Sequence, residues 1–173
     1  MVVWIIGLSG TGKSTLANEI VSRANKVNSN TILLDGDFVR EMFGNDLGYS
    51  MADRERNGLR ICQLGKFLSE QGLNVVTAIL SLFPENRQWN RNHLKNYYEV
   101  FIDSPLEDLI NRDSKGIYSK FKTGEIIEVA GMDIHFEKPL SSDLIINNIY
   151  SKEALLSFAQ PILEKMLKKN EQV

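Results

Sequence analysis

The feature that most constrains the fold of this chain is a glycine-rich octapeptide at residues 7–14, which reads GLSGTGKS. It satisfies the pattern G-x-x-x-x-G-K-[ST], follows directly on an apolar run at residues 2–6, and leads into a helical pattern that begins at Lys13. In this context the backbone N–H groups of the loop and the helix N-terminus converge on phosphate oxygens. A glycine-rich turn that binds nothing would need the whole pattern to arise by chance. The octapeptide, here called the phosphate loop, therefore predicts nucleotide binding.

Two side chains of the phosphate loop are expected to carry its chemistry. Lys13 is placed to reach the β- and γ-phosphates of a nucleoside triphosphate, and the Ser14 hydroxyl is placed to ligate Mg²⁺. The sequence therefore predicts a nucleoside triphosphate and Mg²⁺ as ligands. The nucleotide contacts are expected from Gly7, Ser9, Gly10, Thr11, Gly12, Lys13, Ser14 and Thr15.

The rest of the sequence alternates short apolar runs with longer amphipathic stretches. The apolar runs, which predict strands, lie at residues 2–6, 31–34, 74–80, 98–102 and 144–146. The amphipathic stretches, which predict helices, lie at about residues 13–27, 53–71, 85–96, 105–113 and 151–169. Runs without polar alternation indicate strands buried on both faces. The order predicts an α/β fold with a parallel sheet and helices on both faces, and the length predicts a single domain over residues 1–173.

A different pattern follows at residues 115–139, which hold three glycines, many polar residues and little apolar periodicity. Such a stretch predicts a long loop or a lid, since long irregular segments in compact domains are usually functional. With Arg112 and Lys115 at its hinge, the lid is expected over about residues 112–139. These two cations could close on a phosphoryl group in transfer. Ordinary surface charge on a polar loop would explain them equally well.

The composition excludes several function classes. Lys and Arg number 20 against 22 Asp and Glu, so the net charge of −2 gives no global attraction to nucleic acid or to an anionic membrane. The apolar run at residues 2–6 is too short to span a bilayer and has no basic flank or cleavage site of a signal peptide. Cys62 is the single cysteine, which allows no internal disulfide and fits a cytoplasmic location. We therefore expect neither nucleic acid nor a membrane as a partner.

Residues 35–37, Asp-Gly-Asp, follow the second predicted strand and are here called the acid turn. Ligands of parallel sheets bind outside the carboxyl ends of the strands, so both carboxylates are expected to face the nucleotide. One could help to hold Mg²⁺, and the other could orient or deprotonate an attacking hydroxyl. A tight acidic turn would explain the same residues, but the phosphate loop upstream favours a catalytic role.

Polar residues that suit anion capture follow the acid turn. Arg40 comes first, and Arg54, Asn57 and Arg60 recur at intervals of three in the next predicted helix, where they are expected to share one face. Arg and Asn suit the binding of phosphate or sulfate oxygens. A solvated helix face shows the same spacing, and spacing alone does not decide between the two.

In combination these residues resemble the adenylylsulfate (APS) kinase family of P-loop kinases, over about residues 3–147. The matching strings are GLSGTGKST at 7–15, LDGDFVR at 34–40, DR at 53–54 with Asn57 and Arg60, FIDSPLEDLINRDSKGIY at 101–118, GEI at 124–126, Gly131, and E-x-P at 137–139. Members of this family transfer the γ-phosphoryl group of ATP to the 3′-hydroxyl of adenosine 5′-phosphosulfate. The resemblance implies ATP and Mg²⁺ as cofactors, a nucleotide acceptor, a five-stranded parallel sheet with helices on both faces and a lid loop, and a homodimer.

The resemblance also implies roles for individual residues. Asp37 looks like the carboxylate that meets the 3′-hydroxyl, and Arg112 joins the ATP contacts. The implied catalytic residues are Asp37, Lys13 and Lys115. The implied metal ligands are Ser14 and Asp35. The implied acceptor-binding residues are Asp37, Arg40, Tyr49, Arg54, Asn57, Leu80, Ser81, Lys115 and Gly116.

Three departures from the family pattern concern recognition of the acceptor base. Val-Ala-Gly at residues 129–131 stands where the family has Phe-Thr-Gly, whose Phe stacks on adenine, so roughly 1–3 kcal/mol of stacking could be lost. Leu82 replaces a Pro after the third strand, and Phe136 replaces a Tyr. Tyr49 stands where the family's other base-stacking aromatic residue stands. An APS-kinase-like branch in bacterial capsule pathways phosphorylates cytidine diphosphoramidate, and the departures leave that acceptor open beside APS.

Two non-catalytic function classes fit less well. A nucleotide-binding switch of the small GTPase kind would carry N-K-x-D after a later strand, and the sequence has none. A degenerate subunit that regulates a partner enzyme would not need the intact set of Lys13, Ser14, Asp35 and Asp37.

Overall fold

The computed structural model describes residues 1–147 and 151–168. In this part of the chain the strands are β1 (Val2–Ile6), β2 (Thr31–Asp35), β3 (Asn74–Ile79), β4 (Tyr97–Asp103) and β5 (Leu144–Asn147). They form a five-stranded sheet in the order β2-β3-β1-β4-β5, with every pair parallel. The predicted α/β fold with a five-stranded parallel sheet is confirmed, and each strand lies within one residue of its predicted bounds.

The helices of the described residues are α1 (Lys13–Lys26), α2 (Gly36–Met42), α3 (Met51–Glu70), α4 (Pro84–His93), α5 (Leu106–Arg112), α6 (Ile117–Lys122), α7 (Lys152–Ser157) and α8 (Ala159–Lys168). Helix α2 was not predicted, because a helix of seven residues is too short to show a helical period in the sequence. None of these helices is long and apolar enough to cross a lipid bilayer.

The helix predicted at residues 151–169 is two helices, α7 and α8, which meet at Phe158. Pro161 lies in the first turn of α8, where its missing N–H costs nothing because helical N–H groups have no partner there. The same residue would break a hydrogen bond in the interior of one long helix. Residue 169 lies outside the described residues.

Both faces of the sheet are covered, because neighbouring side chains of a strand point to opposite sides. Val3 and Ile5 of β1 pack with apolar side chains of α1, α7 and α8. Trp4 and Ile6 pack on the other face with side chains of α2, α3 and α4. All five residues of β1 are buried, which explains the unbroken apolar run in the sequence.

The segment predicted as a long loop or a lid, residues 112–139, is irregular over most of its length but is not structureless. It contains α6 and a small hydrophobic cluster in which Tyr118 and Val129 pack against Leu109 of α5. Ile117 and Phe121 of α6 are partly buried against the same cluster. The expectation of a long loop or a lid holds for the irregular part of this segment, but α6 was not predicted, because a six-residue helix is too short to show a period.

The sheet brings the carboxyl ends of β1, β2 and β3 to one edge, since the three strands are parallel neighbours. The phosphate loop follows β1, the acid turn follows β2, and Leu80 and Ser81 follow β3. This arrangement positions three separate segments around one space.

Candidate active site

A cavity of about 700 Å³ lies at this edge of the sheet. Its walls come from the phosphate loop, the acid turn, α3, the segment after β3 and the lid. The predicted site residues that line it are Ser9, Gly10, Gly12, Lys13, Ser14, Thr15, Asp35, Asp37, Arg40, Tyr49, Arg54, Asn57, Leu80, Ser81 and Lys115. The fold therefore brings the predicted nucleotide and acceptor residues together around one space.

Three predicted site residues, Gly7, Thr11 and Gly116, do not line the cavity but stabilise the backbone conformation beside it. Thr11 Oγ1 donates to the Leu8 carbonyl at 3.0 Å. A Cβ on Gly7 would lie 2.7 Å from that hydroxyl oxygen, so any larger residue would distort the phosphate loop. Gly116, with φ +65°, precedes α6 in a conformation that favours glycine.

Two predicted basic residues also lie outside the cavity lining. Arg112 is exposed and its Nε donates to a backbone carbonyl of its own helix at 3.3 Å. Arg60 makes two hydrogen bonds with Asp46, at 2.9 and 2.6 Å, and its guanidinium carbon lies 4.1 Å from the centre of the Phe43 ring. The prediction that Arg60 shares a face of α3 with Arg54 and Asn57 is wrong. Six residues along a helix rotate by about 240° beyond a full turn, so the side chain of Arg60 points in a different direction from that of Arg54.

Lys13 reaches back across the phosphate loop. Its Nζ donates to the Leu8 carbonyl at 2.7 Å, while part of its side chain stays exposed. Burial of the ammonium group in the loop, and next the nearby charge of Lys115, lower the pKa of Lys13 to about 8, against the opposite effect of Asp35 and Asp37. An incoming phosphate would therefore meet a cation that has already lost much of its water.

Ser14 and Asp35 form a pair of oxygen donors beside the phosphate loop. Ser14 Oγ donates to Asp35 Oδ2 at 2.7 Å, and the Asp37 N–H donates to Asp35 Oδ1 at 3.0 Å. The described residues contain no group of three or more His, Cys, Asp and Glu that could hold a metal alone. One or two protein oxygens suit Mg²⁺, which takes its other ligands from phosphates and water. The donor set therefore fits the predicted ion.

Asp37 faces the cavity with two cations nearby. Its carboxylate oxygens lie 3.7 Å from Lys115 Nζ and 3.9 Å from Arg40 Nη1. The side chains of Asp37 and Lys115 are 60% and 55% exposed, so this ion pair is weak and both groups can turn to a ligand. A carboxylate in this position can accept a hydrogen bond, and then a proton, from a hydroxyl group.

Three buried polar atoms on the cavity wall have no hydrogen-bond partner among the described residues. They are Asn57 Oδ1, Ser81 Oγ and Trp4 Nε1. Leaving such a group unpaired costs about 1–3 kcal/mol, so water or a polar ligand that supplied a partner would be favoured at these atoms. Asn57 Nδ2 is already engaged, since it donates to the Gly36 carbonyl at 3.2 Å.

Two residues that shape the site were missed by the sequence analysis. Arg87, largely buried, donates from Nη1 to the Ser81 carbonyl at 3.0 Å and supports Ser81 in a left-handed conformation, φ +54°. Tyr118, 2% exposed, donates from its hydroxyl to the Ser9 carbonyl at 3.0 Å and ties the lid to the phosphate loop. Tyr118 stands in a string that the family shares, whereas no sequence signal marks Arg87.

The lid presents an aliphatic wall to the cavity. Val129 and Ala130 are buried and line it together with Ile126 and Ile127. No aromatic side chain of residues 112–139 lines the cavity. The replacement of Phe by Val in the sequence therefore leaves this wall without a stacking surface.

The sequence matches the model of the adenylylsulphate kinase family over residues 1–147. A cytidine diphosphoramidate kinase of Campylobacter jejuni is 40% identical over 147 residues, which are 85% of this chain and 85% of the relative. An adenylyl-sulfate kinase of Shigella flexneri is 36% identical over 173 residues, which cover 99% of this chain and 84% of the relative.

The fold is similar to a solved structure of the Mycobacterium tuberculosis APS kinase in complex with AMPPNP and APS. The TM-score is 0.87 at 33% sequence identity, and the superposition covers 96% of each chain.

The lowered pKa of Lys13 predicts how nucleotide binding depends on pH. Below pH 8 the free protein carries a charged Lys13; above pH 8 it loses this proton and must regain it when phosphate binds. The affinity for Mg-ATP should therefore fall between pH 8 and 10, by at most about tenfold per pH unit, with uptake of a proton. Calorimetry in buffers of different ionisation enthalpy measures both quantities.

Lys115→Gln serves as the matched variant, because it removes a charge that lowers the pKa of Lys13. Its affinity should begin to fall at a higher pH than that of the wild type. An affinity that stays constant from pH 7 to 9.5 would contradict the assignment of Lys13.

Proposed function

We propose that this chain, which belongs to the adenylylsulphate kinase family, is an ATP-dependent nucleotide 3′-kinase that transfers the γ-phosphoryl group to the 3′-hydroxyl of adenosine 5′-phosphosulfate. The observation that carries the proposal is that Lys13 of the phosphate loop and Asp37 of the acid turn line one cavity. The curated relatives are kinases, and the Mycobacterium tuberculosis structure holds AMPPNP and APS together. Each supports a two-substrate site of this kind.

In the proposed reaction, Asp37 accepts a hydrogen bond from the 3′-hydroxyl of the acceptor. As the hydroxyl oxygen bonds to the γ-phosphorus, its proton passes to Asp37 and the bond from that phosphorus to the bridging oxygen of ADP breaks. Lys115 Nζ and Arg40 Nη1 lie 3.7 and 3.9 Å from the carboxylate oxygens of Asp37, so two cations flank the proposed base. Asp37 is thus the residue on which acceptor activation depends.

Lys13 and Lys115 are proposed to stabilise the phosphoryl group from two sides. Lys13 would exchange its Leu8 contact for oxygens of the β- and γ-phosphates. Lys115 lies on the lid, and its ammonium group would stabilise the negative charge of the phosphoryl group during transfer. Ser14 and Asp35 would hold Mg²⁺, which neutralises phosphate charge when it is bound. Homodimer formation stays a prediction of the family resemblance.

Cytidine diphosphoramidate is the second candidate acceptor. Two observations support this acceptor: the aliphatic lid wall at Val129 and Ala130, and the 40% identity to a cytidine diphosphoramidate kinase. Both acceptors pair a 3′-hydroxyl with a small tetrahedral group on the 5′ side, so the same catalytic residues serve either one. They differ in the base, and this sequence departs from the APS pattern at positions that the family resemblance assigns to recognition of the base.

Substitution of Asp37 tests the catalytic assignment. Asp37→Asn keeps the size of the side chain and removes the base, so kcat should fall by about 10²–10⁴-fold while the Kd for Mg-ATP changes little. Asp46→Asn is the matched control, since Asp46 is a carboxylate that pairs with Arg60 away from the cavity. ADP release in a coupled assay measures turnover. Asp37→Asn turnover equal to that of the control would remove Asp37 from the mechanism.

A direct comparison of acceptors tests the substrate assignment. ADP release is measured with Mg-ATP and either adenosine 5′-phosphosulfate or cytidine diphosphoramidate, with Asp37→Asn as the background. We expect turnover on the adenine compound, and a higher kcat/KM on the cytidine compound would transfer the assignment to the second candidate. Turnover on neither compound, in protein that binds Mg-ATP, would contradict both.

A further inference from the structure

The lid contains a closed turn at residues 128–134, here called the lid turn, which one carboxylate holds together. Asp133 Oδ2 accepts the Glu128 N–H at 2.7 Å, and Asp133 Oδ1 accepts the Val129 N–H at 2.6 Å. Desolvation opposes the charged form, but the hydrogen bonds from these N–H groups outweigh it and lower the pKa of Asp133. The carboxylate is therefore charged at neutral pH and binds both groups as an anion.

The lid turn holds Glu128 in a conformation that favours glycine. Its φ is +62°, in the left-handed region that residues with a side chain seldom adopt. Such a conformation persists only where the surrounding contacts enforce it. Asp133 supplies these contacts, because it binds the N–H groups on both sides of the Glu128 backbone.

The peptide group between Glu128 and Val129 connects Asp133 to Arg54 of α3. Its N–H donates to Asp133, and its carbonyl accepts from Arg54 Nη2 at 2.8 Å. The N–H and C=O of a planar trans peptide point in opposite directions, so a contact that fixes one of them also fixes the other. Loss of the carboxylate would let this peptide group rotate and would take the carbonyl away from Arg54.

Arg54 is thus held by carbonyls from two separate segments of the cavity wall. Its Nε donates to the Tyr49 carbonyl at 2.6 Å, and its Nη2 donates to the lid turn. Nη1 makes no hydrogen bond with the described residues, and the side chain lines the cavity. The two carbonyls orient the guanidinium plane, and the third nitrogen stays available to a ligand.

The opposite side of the lid turn packs against the phosphate loop. A Cβ on Gly131, whose φ is +88°, would lie 3.1 Å from Leu106 Cδ1 and 3.2 Å from Leu8 Cδ1. Val129 packs with Leu109 in the small hydrophobic cluster of the lid. Apolar contacts therefore hold one side of the turn, and Asp133 holds the polar side that meets α3.

We infer that Asp133 is a positioning residue for acceptor binding, which acts through the Glu128 carbonyl on Arg54. This inference rests on the proposed function, since Arg54 is one of the acceptor-binding residues that the family resemblance implies. Asp133 itself does not line the cavity, so its effect on the acceptor passes through the lid turn.

Asp133→Asn tests this role, because the amide replaces one of the two acceptor oxygens with a donor that faces an N–H group. The KM for the acceptor should rise about threefold to thirtyfold, whereas kcat and the Kd for Mg-AMPPNP should change by less than about twofold. Turnover is measured by ADP release with adenosine 5′-phosphosulfate and with cytidine diphosphoramidate. An unchanged KM for the acceptor that the wild type phosphorylates would overturn the inference.

Glu125→Gln is the matched control. Glu125 is an exposed carboxylate of the lid that accepts from Thr123 Oγ1 at 2.7 Å and does not line the cavity. This variant should keep the KM of the wild type. An equal rise in KM would assign the effect to the charge of the lid and overturn the inference.

A double-mutant cycle tests whether Asp133 acts through Arg54. In an Arg54→Leu background, Asp133→Asn should lower kcat/KM little further, because the group that it positions is gone. An equal further loss in that background would overturn the inference. Unchanged binding of Mg-AMPPNP shows that each variant is folded.

Hydrogen–deuterium exchange tests the lid turn without turnover. The N–H groups of Glu128 and Val129 should exchange faster in Asp133→Asn than in the wild type, whereas those of α6 should not change. Equal exchange at residues 128–129 in the two proteins would overturn the inference alone. A wild-type protein that binds Mg-ATP but phosphorylates neither acceptor would overturn the proposed function and, with it, the acceptor role of Arg54.

Discussion

The carboxylate of Asp35 joins the two halves of the site. One of its oxygens accepts the Ser14 hydroxyl at 2.7 Å, and the other accepts the backbone N–H of Asp37 at 3.0 Å. The first bond ties the acid turn to the helix that follows the phosphate loop. The second caps α2 and thereby directs Asp37 and Arg40 into the cavity. The two hydrogen bonds together hold the acid turn against the N-terminus of α1 and so fix the positions of Ser14 and Asp37 relative to each other.

The sheet could be predicted because strands that are buried on both faces require continuous apolar runs, which are visible in the local sequence. Strand β1 is covered on both faces, which requires five consecutive apolar residues and gives a clear signal. The lid gives no such signal. Its helix α6 has six residues, and Tyr118 finds its apolar partners on α5 and at Val129. Contacts among such short separate segments have no helical or strand period to detect.

The same distinction applies to the site. The location of Lys13, Ser14 and Asp37 around one cavity could be predicted, because it depends on short motifs that directly follow two parallel strands. Arg60 shows the limit of spacing, since the fold turns it toward Asp46 and away from the cavity. The support of Ser81 by Arg87 depends on the path of the chain after β3, which residue types alone do not specify.

Two parts of the cavity wall that we propose for the acceptor differ in chemistry. Arg40 and Arg54 come from neighbouring helices and are joined by the turn at Tyr49. Val129 and Ala130 give the lid an aliphatic surface where the family pattern has an aromatic one. Under the proposed function, the arginine side offers cationic groups to the 5′ anion of the acceptor, and the lid side offers apolar contacts.

The position of the transferred phosphoryl group is the most direct measure of a 3′-kinase. The product made with the preferred acceptor is purified and studied by phosphorus–proton correlation NMR. The new phosphorus signal should couple to the H3′ proton of the ribose. A phosphoryl group on the 2′-hydroxyl or on the 5′ substituent, or free phosphate as the single new species, would contradict the assignment of Asp37 to a 3′-hydroxyl.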